Sequence, residues 1–410
     1  MKLFINKQKG IPMKTLRLSV LWALSLLILI GCSDSPTNPS KVTGEQGDVK
    51  SVEYLNEYSR SIINQLLNQN GFTPPLTLTY NVEVYSVTYN TIDVDGNITE
   101  ASGAIMVPID ASPAPLLSIQ HGTVFYRNKV ASSGALVPSE GPVGLAFSSA
   151  GYVTIIPDYL GYGVSTERHP YVHKDGTAHP VVDMIFAARE WSAEQDVSLD
   201  GDLFLGGYSE GGYVTMAAQM LIESEYATDL TVTASAPAAG PFDLSGFVDI
   251  VLEEMKYPNL PNVSFILTAY NDIYDWNMMS EMFQAPYDED LPTLLDGSAR
   301  GDDIAEALPD SLSDLLEPGF VQDVRDDNLP DLQQAFEENS LLDWSPQAPI
   351  HLYHGTADQL VDYQNSVTAK EVLGTRSAST VEFTTYDSLN HYESAPRAYY
   401  DMALWFDSLR

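Results

Sequence analysis

Three spacings of apolar residues alternate along this 410-residue chain, and together they outline its elements. Short unbroken apolar runs at 115–119, 151–157, 203–205, 231–237, 349–355 and 381–386 read as buried strands, each bounded by Gly, Pro or polar residues. Strict alternation from Tyr80 to Ile92 and from Ile98 to Val107, joined through Asp95-Gly96, predicts a hairpin. Helical spacing occurs at Tyr54–Leu67, where Tyr54, Leu55, Tyr58, Ile62, Ile63, Leu66 and Leu67 share a face and Asn70-Gly71 supplies the stop. It recurs at Pro180–Trp191, at Val214, Ala217, Ala218, Leu221 and Ile222, and from about Pro396 to Leu409. Unbroken apolar strands separated by helices predict a mostly parallel sheet with helices on both faces, the α/β class. Between residues 241 and 345 the strand rhythm lapses and only helix-like spacing remains, which predicts an inserted helical cap. The domain it interrupts then spans 51–240 and 346–410.

Charge narrows what such a domain can bind. The net charge is −36, and residues 1–31 carry five Lys or Arg and no acid, so the remainder carries −41. The cap alone has 24 acidic residues against three basic ones. A surface this negative repels phosphate backbones, so nucleic acid is excluded as a partner. The five cations precede an apolar run, Leu18–Ile30, too short for a membrane span and ending in Leu29-Ile30-Gly31-Cys32. That ending resembles the lipobox of bacterial lipoproteins. The resemblance implies a signal peptide over 1–31, a lipid on Cys32, and anchorage in the cell envelope, at an outer membrane or cell surface. Met13 offers a more ordinary signal length than Met1. Cys32 is the only cysteine, so no internal disulfide can form. Residues 32–50 begin rich in Ser, Pro, Asn, Thr and Gly and read as a tether.

The chemistry centres on Gly207-Tyr208-Ser209-Glu210-Gly211, a G-x-S-x-G pattern placed between a strand and a helix. In that context the serine sits on a strained turn that lifts its hydroxyl off the sheet, and the flanking glycines permit the close passage of strand and helix. A serine hydroxyl needs a base, and the base needs a partner that fixes its tautomer. Three histidines follow Ser209: His351, His354 and His391. The first two flank one strand and read as packing or loop-fixing groups, whereas His391 follows the last strand and is the candidate base. Asp358, just past the strand ending at Gly355, is the leading acid, with Asp362 second and Asp243 third. The oxyanion donors expected are the backbone N–H groups of Glu210 and of Thr123 in the His121-Gly122-Thr123 loop. Asp93-Val-Asp-Gly-Asn97 has its glycine two positions too early for a calcium loop and reads as a turn, so no metal is expected. No cofactor is expected either, since the Gly-rich elbow lacks G-x-G-x-x-G spacing.

At the elbow, the His121-Gly122 loop, Asp358 and His391, the chain resembles the α/β-hydrolase superfamily. The Tyr-Ser-x-Gly-Gly elbow, Pro157-Asp158-Tyr159-x-Gly161 and the long cap resemble the secretory lipases typified by fungal lipase A. That resemblance implies an α/β-hydrolase fold and hydrolysis of a carboxylic ester or acylglycerol under a cap, through Ser209, His391 and Asp358. Such lipases are usually disulfide-bonded and less acidic than this chain. A prolyl-type aminopeptidase using the same three residues, and a non-catalytic surface-binding lipoprotein, are the alternative readings.

Overall fold

The computed structural model describes residues 44–69, 72–134, 136, 140–246, 251, 257 and 259–410. The expected signal segment, Cys32 and the start of the tether lie outside the described residues.

Nine strands form one sheet in the order β1-β2-β3-β5-β4-β6-β7-β8-β9. β1 (Val49–Tyr58), β2 (Val82–Ile92) and β3 (Ile98–Pro108) pair antiparallel, and β3 meets β5 (Val153–Pro157) in the same sense. From β5 onward, through β4 (Ala114–Gln120), β6 (Leu199–Tyr208), β7 (Ala234–Ala238), β8 (Ile350–Gly355) and β9 (Val381–Tyr386), neighbours are parallel. Successive residues of β6 enter opposite cores, as strand geometry requires. Leu203 and Leu205 pack with helices Lys174–Glu194 and Glu210–Glu225, while Phe204 packs with helices Gly141–Ser149 and His391–Asp407 through Phe147, Met402 and Phe406. Burying a ring such as Phe204 contributes about 1.5–3 kcal/mol. The two apolar layers therefore hold the carboxyl ends of β4, β6, β8 and β9 in fixed relative positions.

Four expected elements need correction. Residues 49–58 form an edge strand where a helix from Tyr54 was expected, and the helix is confined to Arg60–Gln69. Register shifts between Val49 and Ser51 and between Tyr54 and Asn56 explain the misreading. Each inserts an extra residue, so the inward positions Val49, Val52, Leu55 and Tyr58 fall three apart and imitate a helical period. The tether ends earlier than residue 50, because the Gly47 N–H donates to the Asn90 carbonyl at 2.9 Å and Gln46 Nε2 donates to Asp183 at 3.1 Å. The helices expected to open at Pro180 and Pro396 open instead at Lys174 and His391. His173 accepts the Gly176 N–H in the first, and Asn390 with Glu393 forms a capping box in the second.

Between β7 and β8 the described residues form helices, the longest being Leu260–Ile273. Cations of the sheet domain hold this acidic insertion. Arg168 donates to the carbonyls of Leu295 and Pro292, both at 2.9 Å, and pairs with Asp272 at 2.5 Å. Arg127 donates to the Asp296 carbonyl at 2.7 Å and to that of Ser165 at 2.8 Å.

Candidate active site

β6 delivers Ser209 into the left-handed half of backbone space, at φ 62° and ψ −126°, and the helix Glu210–Glu225 starts at the next residue. Sterics enforce that turn. A Cβ on Gly207 would lie 2.4 Å from the Gly211 carbonyl oxygen, and one on Gly211 would lie 2.1 Å from that of Gln120. Gly212 is equally confined, 2.2 Å from the Ala238 carbonyl oxygen. The elbow is thus packed against the ends of β4 and β7, and a side chain at any of the three glycines would push Ser209 out of position.

Asp358 follows β8 and is buried. Its Oδ1 accepts the backbone N–H groups of Leu360 (2.8 Å) and Val361 (3.0 Å). Its Oδ2 accepts His391 Nδ1–H at 2.6 Å, which leaves His391 Nε2 as the basic ring nitrogen. Burial by itself would push the Asp358 carboxyl up. The hydrogen bonds and positive character of His354 and His391 outweigh it and hold the group well below the usual carboxylate range. The alternative acids are engaged elsewhere. Asp362 caps the helix Tyr363–Arg376 by accepting the Gln364 N–H at 2.7 Å, and Asp243 accepts the Gly246 N–H at 3.0 Å.

His391 is the first residue of its helix, so the capping box at Asn390 and Glu393 also orients the imidazole. A second constraint comes from the elbow itself. Tyr208 Oη donates to the His391 carbonyl at 2.7 Å, and the two rings lie 5.0 Å apart. Ser209 and His391 line the same cavity of about 690 Å³, together with Gly122 and Thr123.

His354, expected as a packing or loop-fixing group, has a larger role in the structure. Its Nε2 lies 3.1 Å from Asp358 Oδ2 and 3.0 Å from the Val361 carbonyl. A carbonyl can only accept, so Nε2 carries the proton, and Nδ1 accepts from the Ser366 hydroxyl at 2.7 Å. Asp358 therefore has four donors, two of them imidazoles. The signal was present in His354-Gly-Thr-Ala-Asp358, four residues apart across a strand-ending glycine. His351, by contrast, contacts Thr384 at 2.8 Å and stacks on Tyr353, away from the cavity.

The loop after β4 is fixed by tyrosines. Tyr159 Oη donates to the His121 carbonyl at 3.0 Å, Tyr162 Oη donates to that of Val124, and the Thr123 hydroxyl meets Tyr171 Oη at 3.0 Å. With these carbonyls held from the protein side, the Thr123 amide lies on the segment that borders the cavity beside Ser209. The Gly122 N–H is taken by Glu140 at 3.2 Å. On the opposite side Glu210 opens its helix, where N–H groups have no intrahelical acceptor. Its carboxyl is buried against His169 Nε2 at 2.6 Å, and His169 Nδ1–H donates to the Leu160 carbonyl at 2.8 Å. That pair anchors the first turn from behind. The arrangement brings a hydroxyl, an imidazole with a fixed tautomer and an ionised acid to one cavity, groups that acyl transfer uses. Among the described residues no group of three or more metal-ligating side chains converges.

Residues 143–272 match the family described as secretory lipase. A protein from Legionella pneumophila described as a hydrolase is 28% identical with a TM-score of 0.82, over 88% of this chain and 98% of its own. The rice cell wall degrading esterase LipA from Xanthomonas oryzae is 26% identical with a TM-score of 0.79, over 90% of this chain and 100% of its own. Candida antarctica lipase A in its closed state, at 15% identity, shares the fold with a TM-score of 0.64 over 88% of this chain and 82% of its own. No curated protein matches the chain by sequence. The expected fold class and the resemblance to secretory lipases are both borne out.

Proposed function

We propose that this chain, an α/β-hydrolase similar to the secretory lipases, is a serine carboxylesterase that works through an acyl-enzyme. In this reading Ser209 attacks the ester carbonyl while His391 Nε2 takes its proton. Asp358 keeps Nδ1 protonated and stabilises the imidazolium. The oxyanion is received by the N–H groups of Thr123 and Glu210, each worth about 10²–10³ in rate. His391 then returns the proton to the departing alkoxide, and water, activated by the same imidazole, releases the acid. The observation that carries the reading is the 2.6 Å bond between Asp358 and His391 beside a serine on a left-handed elbow, all bordering one cavity. The esterase and lipase names of the similar structures point the same way.

The aminopeptidase alternative needs a carboxylate within the cavity to take the substrate ammonium; the cap residues lining it, Asn259 and Asn262, are amides, and Glu140, which also lines it, accepts the Gly122 N–H at 3.2 Å. Among the described residues no helix is long and apolar enough to cross a membrane. Attachment to a membrane rests, in this proposal, on a lipid at Cys32. A fluorophosphonate probe tests the central claim: it should label wild type and fail to label Ser209→Ala. p-Nitrophenyl esters should be cleaved and aminoacyl anilides left intact; anilide cleavage with idle esters would overturn the assignment.

A further inference from the structure

One buried pair behind the elbow has more partners than anchoring a helix requires. His169 is 3% exposed and Glu210 1%. The His169 Nδ1–H is committed to the Leu160 carbonyl at 2.8 Å, so the 2.6 Å contact between Nε2 and Glu210 Oε1 needs a further proton. That proton makes the pair either imidazolium with carboxylate or imidazole with carboxylic acid, and both are neutral overall. Glu210 Oε2 has no hydrogen-bond partner among the described residues, which leaves His169 to neutralise this carboxyl. The imidazole also touches the tyrosines that fix the loop after β4. Its centre lies 5.9 Å from the ring of Tyr159 and 4.6 Å from that of Tyr162, whose hydroxyls hold the His121 and Val124 carbonyls. It lies 6.1 Å from Tyr171, whose hydroxyl meets that of Thr123. Phe265 of the cap helix Leu260–Ile273 adds a contact at 5.8 Å and stacks on Tyr171 at 4.7 Å.

We propose that His169 is the positioning residue of the oxyanion site: it holds the segments carrying the Thr123 and Glu210 amides in register and cancels the charge of the Glu210 carboxyl. This rests on the reading of Ser209 as the nucleophile with those two amides as donors, and adds the group that sets them. A single ring bonds Glu210 directly and reaches the Thr123 segment through three tyrosines. Its own backbone has little room to shift, since a Cβ on Gly161 would lie 2.4 Å from His169 N. Charge supplies the second reason. Oxyanion donors act on negative charge as it develops, and a buried carboxylate on the residue that provides one of them would oppose that charge if left unpaired. Paired with His169 it adds no net charge, and the first turn of the helix Glu210–Glu225 stays tied to the loop at Leu160.

The test separates transition-state from ground-state binding. In His169→Leu, kcat for p-nitrophenyl butyrate should fall about 100-fold while KM stays within about 3-fold. Butylboronic acid, which forms a tetrahedral adduct on a nucleophilic serine, should lose about the same 100-fold in affinity, and butyrate, a ground-state mimic, only about 3-fold. Adding Glu210→Gln to His169→Leu removes the uncompensated charge and should raise kcat about 10-fold above the single variant. A residue that merely filled space would give a double variant no better than His169→Leu. If His169→Leu does not fold, Glu210→Ala against Glu210→Gln makes the same comparison, because only the amide keeps a donor for His169 Nε2. Both kcat and boronate affinity should then be at least about 10-fold lower in Glu210→Ala. Equal kcat and equal boronate affinity within the pair of variants compared would overturn the role of His169. Absence of boronate binding and of fluorophosphonate labelling in wild type would instead overturn the catalytic reading, so the two failures are distinguishable.

Discussion

Replacing His354 separates its contribution to Asp358 from that of His391. In His354→Phe the Nε2–H bond to Asp358 at 3.1 Å is lost, while the Leu360 and Val361 N–H groups and His391 remain. A hydrogen bond to a charged group contributes about 1.5–3 kcal/mol, so the Asp358 pKa should rise when that bond is lost. It starts well below the usual carboxylate range, so the acid stays ionised at neutral pH and the His391 tautomer is retained. Activity at pH 7 should therefore fall only about 10-fold, through looser orientation of Asp358. The larger change should be in stability. A depressed folded-state pKa contributes stability above the unfolded value, and that stability is lost as pH falls through the folded pKa. His354→Phe gives up part of that contribution, so its urea midpoint should lie below wild type at pH 7, and the deficit should narrow in acid, where protonated Asp358 no longer gains from the lost donor, whereas a packing defect is independent of pH. His354→Gln, which can keep a donor toward Asp358, should recover much of both effects. The measurements are kcat/KM for p-nitrophenyl butyrate from pH 4 to 9 and urea unfolding at pH 2.5 and 7. If His354→Phe matches wild type within 2-fold at pH 7 and its stability deficit is the same at both pH values, the imidazole serves packing alone and the argument fails.

Three further outcomes are expected. Asp362→Ala should cost about 1 kcal/mol of stability through the lost helix cap yet leave kcat/KM unchanged; a 100-fold fall in kcat/KM would make it the acid in place of Asp358. Asp183 is buried, and burial raises its pKa to about 7 despite hydrogen bonds from Thr91 and Gln46, so the folded state retains a proton that the unfolded chain releases near pH 4. Stability should therefore decline by up to about 4 kcal/mol between pH 4 and 7, and Asp183→Asn should flatten that slope; thermal melts at pH 5 and 8 that stay parallel to wild type would refute it. Labelling cells with radioactive palmitate should mark the wild-type chain and not Cys32→Ser, and equal labelling would remove the proposed anchor.

How much of this was legible beforehand differs from element to element. The elbow could be read because its causes are local: a strand, two glycines that must lack Cβ atoms, and a helix stand within twenty residues of one another. The parallel core strands were legible for the same reason, since burial on both faces leaves an unbroken apolar run. β1 was misread because its bulges, set by pairing with β2, change the spacing of its inward residues from two to three. Asn390 and Glu393 carry the capping box in plain sight, but Pro396 drew the helix start toward itself.

From its sequence alone the chain determined its α/β class, the strained serine, a short set of histidines and acids, and the acidic insertion, because each depends on neighbours along the chain. Only the tertiary structure decided that Asp358 serves two imidazoles at once, that Tyr208 ties the elbow to His391, and that the N-terminal helix walls the cavity. Apart from His354 and Asp358, only four positions apart, those contacts join residues 33 to more than 300 positions apart, and their pairing is set by how the helices pack on the sheet, which no local spacing encodes.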